Sequence, residues 1–129
     1  MNKNPANFVP LTPISFLHRT ADIYGEHQSV LYENRSYTWR ESRERCVRIA
    51  SSLNGHGVMP GDTVSVLAFN TPEMFESHFS IPMTGAILNT INIRLDAQTI
   101  AYIFDDSNAK ILFVDRELFS VASEALSIA

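Results

Sequence analysis

The stretch TVSVLAFNTPEMFESHFSIPMTGAILNTINIRLDAQTIAYIFDDSNAKILFVD, residues 63–115, decides the fold. It opens on TVSVLAF, a near-continuous apolar run of the kind buried on both faces of a parallel sheet. NTPEMFESHFSIPMTGA follows as a helix, with Thr71 as cap, Pro72 at the first position and Glu73 in the first turn. Gly85 stops that helix, and AILNTINI reads as a second strand. DAQTIAYIFDDSN is a second helix capped by Asp96, and AKILFVD is a third strand. The order βαβαβ predicts parallel strands at Thr63–Phe69, Ile87–Ile91 and Ile111–Val114 in one sheet, joined by right-handed crossovers.

Working outward, residues 116–129 read as the start of a further helix. Upstream, Pro60-Gly61-Asp62 is a turn. Before it, Thr38 and Glu41 form a T-x-x-E capping box that opens a helix carrying Trp39, Cys46, Ile49, Ala50 and Leu53 on one face. SVLYENRSYTW reads as an antiparallel hairpin whose tip holds Asn34, a residue tolerant of left-handed backbone. A first helix is expected at about Pro13–Tyr24, with Phe16, Leu17, Ala21 and Tyr24 inward and Gly25 as its stop. Residues 1–12 read as an extended arm, since Pro5, Pro10 and Pro13 disfavour helix before them.

The bulk numbers exclude several classes. The chain has 129 residues, 45% hydrophobic and 19% charged, with net charge −4, so nothing recruits nucleic acid or an anionic membrane. One cysteine, Cys46, rules out an internal disulfide and fits a reducing compartment. No stretch reaches the roughly 18–20 apolar residues of a membrane span, and MNKNPANFVPLTPI lacks a signal-peptide core.

The candidate sites are few. GHGVMPG follows a helix rather than a strand and has the wrong last spacing for a dinucleotide fingerprint, so it reads as a helix stop plus turn. In RESRERCVR the Glu41–Arg45 and Glu44–Arg48 spacings suggest i,i+4 pairs on a solvated face rather than an anion site. His18, His27, His56 and His78 show no metal-ligand spacing, and Cys46 reads as core filling. Asp105-Asp106 closes a helix before a strand, the wrong end for a ligand pair. Only Lys3 and Lys110 are lysines, and neither neighbours a glycine. No residue set carries a complete catalytic mechanism. Arg94 stands apart: it follows a buried strand and precedes a helix cap, where α/β folds place ligand contacts. It is either a surface partner of Asp96 or a phosphate contact.

Four stretches together resemble the AMP-forming acyl-CoA synthetases, and among them the acyl-activating enzymes of plants. They are LTPISFLHRTADIYGEHQSVLY; SYTWRESRERCVRIASSL, the first core motif; GVMPGDTVSVLAFNTPEMFESHF; and MTGAILNTINIRLDAQTIAYIFDDSNAKILFVD, with the N-x-R-L of the second core motif. The resemblance covers roughly residues 8–126. It implies the N-terminal part of the large domain of an adenylate-forming enzyme: α/β, a hairpin plus a βαβαβ unit, with an incomplete sheet. The implied parent uses ATP, Mg2+ and CoA to convert a carboxylic acid first to an acyl-adenylate and then to a thioester. The family's Ser/Thr/Gly-rich phosphate loop and C-terminal lysine domain have no counterpart here, so residues 1–129 are expected to be an inactive scaffold portion needing no cofactor alone. In that setting Arg94 is a rim contact for a CoA phosphate, with no catalytic and no metal residue. The alternative is a stand-alone binding or interaction module that pairs with a full-length relative. In the first setting the Val64/Val66 and Leu112/Val114 sets are expected to leave apolar surface or unpaired edges exposed, so that the chain binds a hydrophobic dye or self-associates through its sheet edge, whereas a monodisperse monomer would favour the stand-alone module. Compartment stays open between cytoplasm and peroxisome, and the acyl substrate is not readable.

Overall fold

A computed structural model describes Asn4 and residues 8–129; the arm expected at 1–12 therefore lies mostly outside the described residues. Helix α1 (Pro13–Ile23) begins where Thr12 and Ser15 cap each other's free amides, with Pro13 preset in the first turn. Leu17 and Ala21 are buried against two later helices, but Phe16 and Tyr24 are about half exposed. The inward stripe is thus narrower than expected, because only two positions one turn apart reach the neighbouring helices.

Strands β1 (Gln28–Tyr32) and β2 (Arg35–Thr38) form the expected antiparallel hairpin, paired Val30 to Tyr37 and Tyr32 to Arg35. The left-handed residue at the tip is Glu33 (φ 51°), not Asn34. The two-residue tip needs one positive φ, and this register places it on the residue next to β1. Helix α2 (Trp39–Gly55) starts at the Thr38–Glu41 capping box. Its buried face is Ser42, Cys46, Ala50 and Leu53, with Trp39 only half-buried at its first turn.

Strands β3 (Thr63–Leu67), β4 (Ile87–Thr90) and β5 (Ala109–Val114) lie parallel in the order β4-β3-β5. Helix α3 (Pro72–Met83) links β3 to β4, and α4 (Ala97–Ser107) links β4 to β5. A 3-10 turn at Arg116–Leu118 leads into α5 (Phe119–Ile128). Between α3 and β4, Gly85 takes φ 79°, and a Cβ there would stand 2.9 Å from Pro60 Cβ. Glycine is required at that spot twice over, by backbone sign and by space.

The core is two layers, one on each sheet face. Val64 and Val66 pack with Leu53, Met74 and Ile81 from α2 and α3. On the other face Leu67 packs with Ile100 and Phe104 of α4 and Ala122 and Ala125 of α5, and half-buried Leu112 and Val114 join them. Of the two outcomes expected, exposed apolar faces are not found, since Val64 and Val66 are 0% and 3% exposed. α2 covers what the βαβαβ unit alone leaves open, and α5 does so opposite. What stays open is the edge: among the described residues β4 and β5 each pair with β3 alone.

Candidate functional site

Arg94 sits in the turn between β4 and α4. Ile93 and Leu95 turn inward onto the α4 face of the core, which forces the residue between them out to solvent. The turn is set by Asn92, whose side-chain oxygen accepts from the Arg94 amide at 3.0 Å. Asp96 does not pair with Arg94. Its carboxylate caps α4, accepting from the Thr99 amide at 2.8 Å, and that bond holds the carboxyl below the usual range. The guanidinium has no ion-pair partner among the described residues, and the exposed residue stands beyond the carboxyl end of β4.

A cleft of about 460 Å³ lies at the carboxyl ends of β3 and β5, on the α2–α3 face. Val66, Ala68, Met74 and Phe113 form its apolar walls, and Arg35 with Glu73 stands at its rim. Arg35 reaches from the hairpin to the first turn of α3, 2.7 Å from Glu73. Burial pulls the Glu73 carboxyl upward, but the Arg35 hydrogen bond and its neighbours outweigh it and leave it below its ordinary value. Ser80, on the cleft wall, is fully buried with its hydroxyl unpartnered. Arg94 is not among the lining residues, so the structure does not bring the predicted site residue and the cleft together.

The α2 arginines are not a solvated ladder of local pairs. Arg45 binds Glu76 of α3 through two hydrogen bonds, the longer 3.1 Å, and stacks its guanidinium 4.5 Å from the centre of the Tyr37 ring. Glu76 is 1% exposed, and the pairing raises Arg45 further above its ordinary value. Arg43 reaches Asp22 and Arg40 reaches Glu26, while Glu41 is committed to the cap at Thr38. Physical necessity picks the partners: a carboxylate inside a helix buried on most sides must find a cation, whereas a surface i,i+4 pair gains little. One signal was available, since Glu76 lies between Phe75 and Phe79 in a helix that links two buried strands.

The remaining motifs settle into structure. Gly55 ends α2 and Gly57 takes φ 79° in the turn after it. Lys110, remote from glycine in sequence, donates to the Gly57 carbonyl at 2.7 Å and to Asp62 at 2.9 Å, fastening β5 to that turn. Cys46 is buried core, its thiol pushed up to about 12 chiefly by burial, so it is no nucleophile. Among the described residues no group of three His, Cys, Asp or Glu could hold a metal ion. No helix among them is long and apolar enough to cross a membrane.

Comparison with known proteins identifies the chain's relatives. Residues 17–128 match the family described as AMP-binding enzyme. An acetate–CoA ligase of Humulus lupulus is 47% identical over 126 residues, which is 98% of this chain and 22% of that protein. A peroxisomal acetate/butyrate–CoA ligase of Arabidopsis thaliana is 44% identical over 126 residues, again 98% and 22%. Among solved structures, an anthranilate CoA ligase in complex with anthranoyl-AMP superposes with TM-score 0.85 at 25% identity, over 88% of this chain and 22% of that one. A benzoate CoA ligase from Burkholderia xenovorans has the same fold, with TM-score 0.86 at 22% identity over 90% of this chain and 24% of its own. The chain thus spans about a fifth of the length of these relatives and matches their N-terminal part. It belongs to the AMP-binding enzyme family.

Proposed function

We propose that residues 1–129 are part of one N-terminal domain of an ATP-dependent carboxylic acid–CoA ligase, and that they serve it as scaffold. The observation that carries this is the match of nearly the whole chain to the front of proteins named as CoA ligases. The parent's chemistry would join a carboxylic acid to ATP as an acyl-adenylate and then pass the acyl group to the CoA thiol. This segment fits the ATP–magnesium part poorly. Both sheet helices that start at the carboxyl ends of strands carry acid there, Glu73 on α3 and Asp96 on α4, and Lys110 is spent on Asp62. A triphosphate needs converging donors and cations, so no step is assigned to these residues, and alone they are inactive.

CoA fits better at one point. Arg94 is exposed and without an ion-pair partner among the described residues, at the carboxyl end of the sheet, and a guanidinium meets phosphate oxygens at two points. In the assembled enzyme, Arg94→Ala should weaken CoA by roughly 1–3 kcal/mol while leaving acid-dependent pyrophosphate exchange nearly unchanged. Equal loss in both half-reactions would make Arg94 a structural residue. The compartment is cytoplasm or peroxisome; the Arabidopsis relative is a peroxisomal protein.

A second reading has its own support. Both sheet faces are covered by helices, and α1, α2 and α4 are capped by side chains, as an independently folding module requires. In that reading the chain is an interaction module that pairs with a full-length relative, and in isolation it is a monodisperse monomer with a sharp, reversible thermal transition, whereas the ligase-segment reading expects dye binding or self-association.

A further inference from the structure

The cleft at the carboxyl ends of β3 and β5 is assembled from four separate elements: Ile49 of α2, Val66 of β3, Met74 and Ser80 of α3, and Phe113 of β5. Its volume of about 460 Å³ is in the range of small-molecule pockets, and about three times the roughly 150 Å³ that houses a benzene ring.

One polar group is set into this apolar wall without a partner. Ser77, Ser80 and Thr84, on α3 and its C-cap, are all buried. Ser77 returns its hydroxyl to the Met74 carbonyl at 2.6 Å, and Thr84 donates to the Ile81 carbonyl at 2.7 Å. Ser80 does neither. The carbonyl one turn back, on Glu76, is approached by the Cys46 thiol at 3.7 Å, and the Ser80 hydroxyl is unpaired among the described residues at 0% exposure. A buried hydroxyl left unpaired is costly, and a ligand oxygen at the cleft wall recovers that loss. Met74 shares the wall, and its unbranched thioether side chain yields readily to admit such a contact.

The rim decides the charge of the ligand. Arg35 and Arg116 stand there with Glu73 and Asp115, two cations against two carboxylates. Arg35 is committed to Glu73 at 2.7 Å, and Asp115 caps the turn after β5 by accepting from the Glu117 amide at 3.1 Å. The field at the mouth is therefore balanced, and an ion finds little there to offset the loss of water on entering an apolar slot.

We propose that this cleft is a binding site for a small uncharged molecule: an apolar body of roughly ten non-hydrogen atoms carrying one hydroxyl or carbonyl oxygen that pairs with Ser80. Such a ligand joins α2, α3 and β5, which gives the segment a ligand-sensing function beyond scaffold. It is also distinct from any pocket for an acid substrate, because a carboxylate is what this site rejects.

The test is an amide chemical-shift titration of the purified 129-residue chain with phenethyl alcohol, alongside ethylbenzene, which lacks the oxygen, and phenylacetate, its anionic counterpart. The alcohol should shift the Val66, Ala68 and Phe113 amides saturably, with a dissociation constant at or below about 1 mM. Phenylacetate should bind at least about tenfold more weakly. Ser80→Ala should weaken the alcohol about three- to tenfold and leave ethylbenzene unchanged, a selective loss that mere disturbance of packing does not produce. Ala68→Leu, which fills the cleft, should abolish binding of both, with unshifted Ile100 and Ala122 amides certifying its fold. No saturable shift, shifts confined to other surfaces, phenylacetate binding as tightly as the alcohol, or a Ser80→Ala effect that is absent or equal for both uncharged probes would each overturn the proposal.

Discussion

Residues 63–128 and residues 13–57 are held in place by different forces. The sheet half is fastened chiefly by apolar side chains: Leu67, Ile91, Ile100 and Phe104 form a continuous layer with α5 that no ion pair enters among the described residues, and Lys110–Asp62 adds one tie at the far end of β5. The hairpin and α2 have less apolar area to offer. They are tied down by Arg35–Glu73, Arg43–Asp22, Arg40–Glu26 and the buried Arg45–Glu76 pair. Hydrophobic burial tolerates sliding among similar shapes, whereas a two-point guanidinium–carboxylate contact fixes one position. The contrast assigns two duties: the sheet half supplies most of the stability, and the arginines set where the hairpin and α2 sit on α3.

The largest effect should come from the sheet half. Ile100→Ala removes a side chain that is 0% exposed at the centre of the α4–α5 layer, and should cost about 2–5 kcal/mol in urea unfolding. A loss under about 1 kcal/mol would mean that the layer is loose enough to collapse around the cavity. Second comes Arg45→Met, which strands the Glu76 carboxylate at 1% exposure. Breaking a buried pair costs about 3–5 kcal/mol, and the 29% exposure of Arg45 lowers the expectation to about 2–4 kcal/mol. Replacing both partners, Arg45→Met with Glu76→Leu, should recover most of that loss if the pair serves placement rather than stability. If the double variant is as unstable as the single one, the ion pair is a net stabiliser and the contrast between halves weakens.

That division also explains what the sequence let one read. The strands of the sheet half were legible because a parallel strand buried on both faces writes itself as a continuous apolar run, and its helices announce their starts, at Pro72 in the first turn of α3 and at the capping Asp96 of α4, although Thr71 makes no side-chain capping bond. The arginine contacts were not. They join positions 14 to 38 apart, and local spacing offers each arginine a closer acid that it does not use. Arg94 is singled out by its place after a strand, and its contact with a phosphate stands as a proposal. The cleft was invisible, since it exists only where α2, α3, the hairpin and β5 meet. Lys110 shows the same limit: only the fold brings it to Gly57.

The smallest effect is acid sensitivity. Asp96, Asp62 and Glu41 are held below their ordinary values, chiefly by the Thr99, Met59 and Thr38 amides respectively. In the unfolded chain such groups titrate near 3.9–4.3, so just below about pH 4.5 the unfolded state binds more protons than the folded one. Their contribution is complete above that pH and fades as pH falls through the lower folded values. Urea midpoints should be level from about pH 7 to 5 and drop toward pH 3. A midpoint that rises on acidification would contradict the capping account.

The central claim is that this segment is scaffold and holds none of the adenylation machinery. Calorimetric titration of the purified 129-residue chain with ATP–magnesium, paired with pyrophosphate release over a panel of carboxylic acids, addresses it directly. The account predicts no saturable heat and pyrophosphate release no faster than buffer, since Glu73 and Asp96 hold negative charge at the helix starts and Lys110 is engaged. Micromolar ATP binding, or any turnover that depends on the acid, would show that the chain is itself a compact ligase.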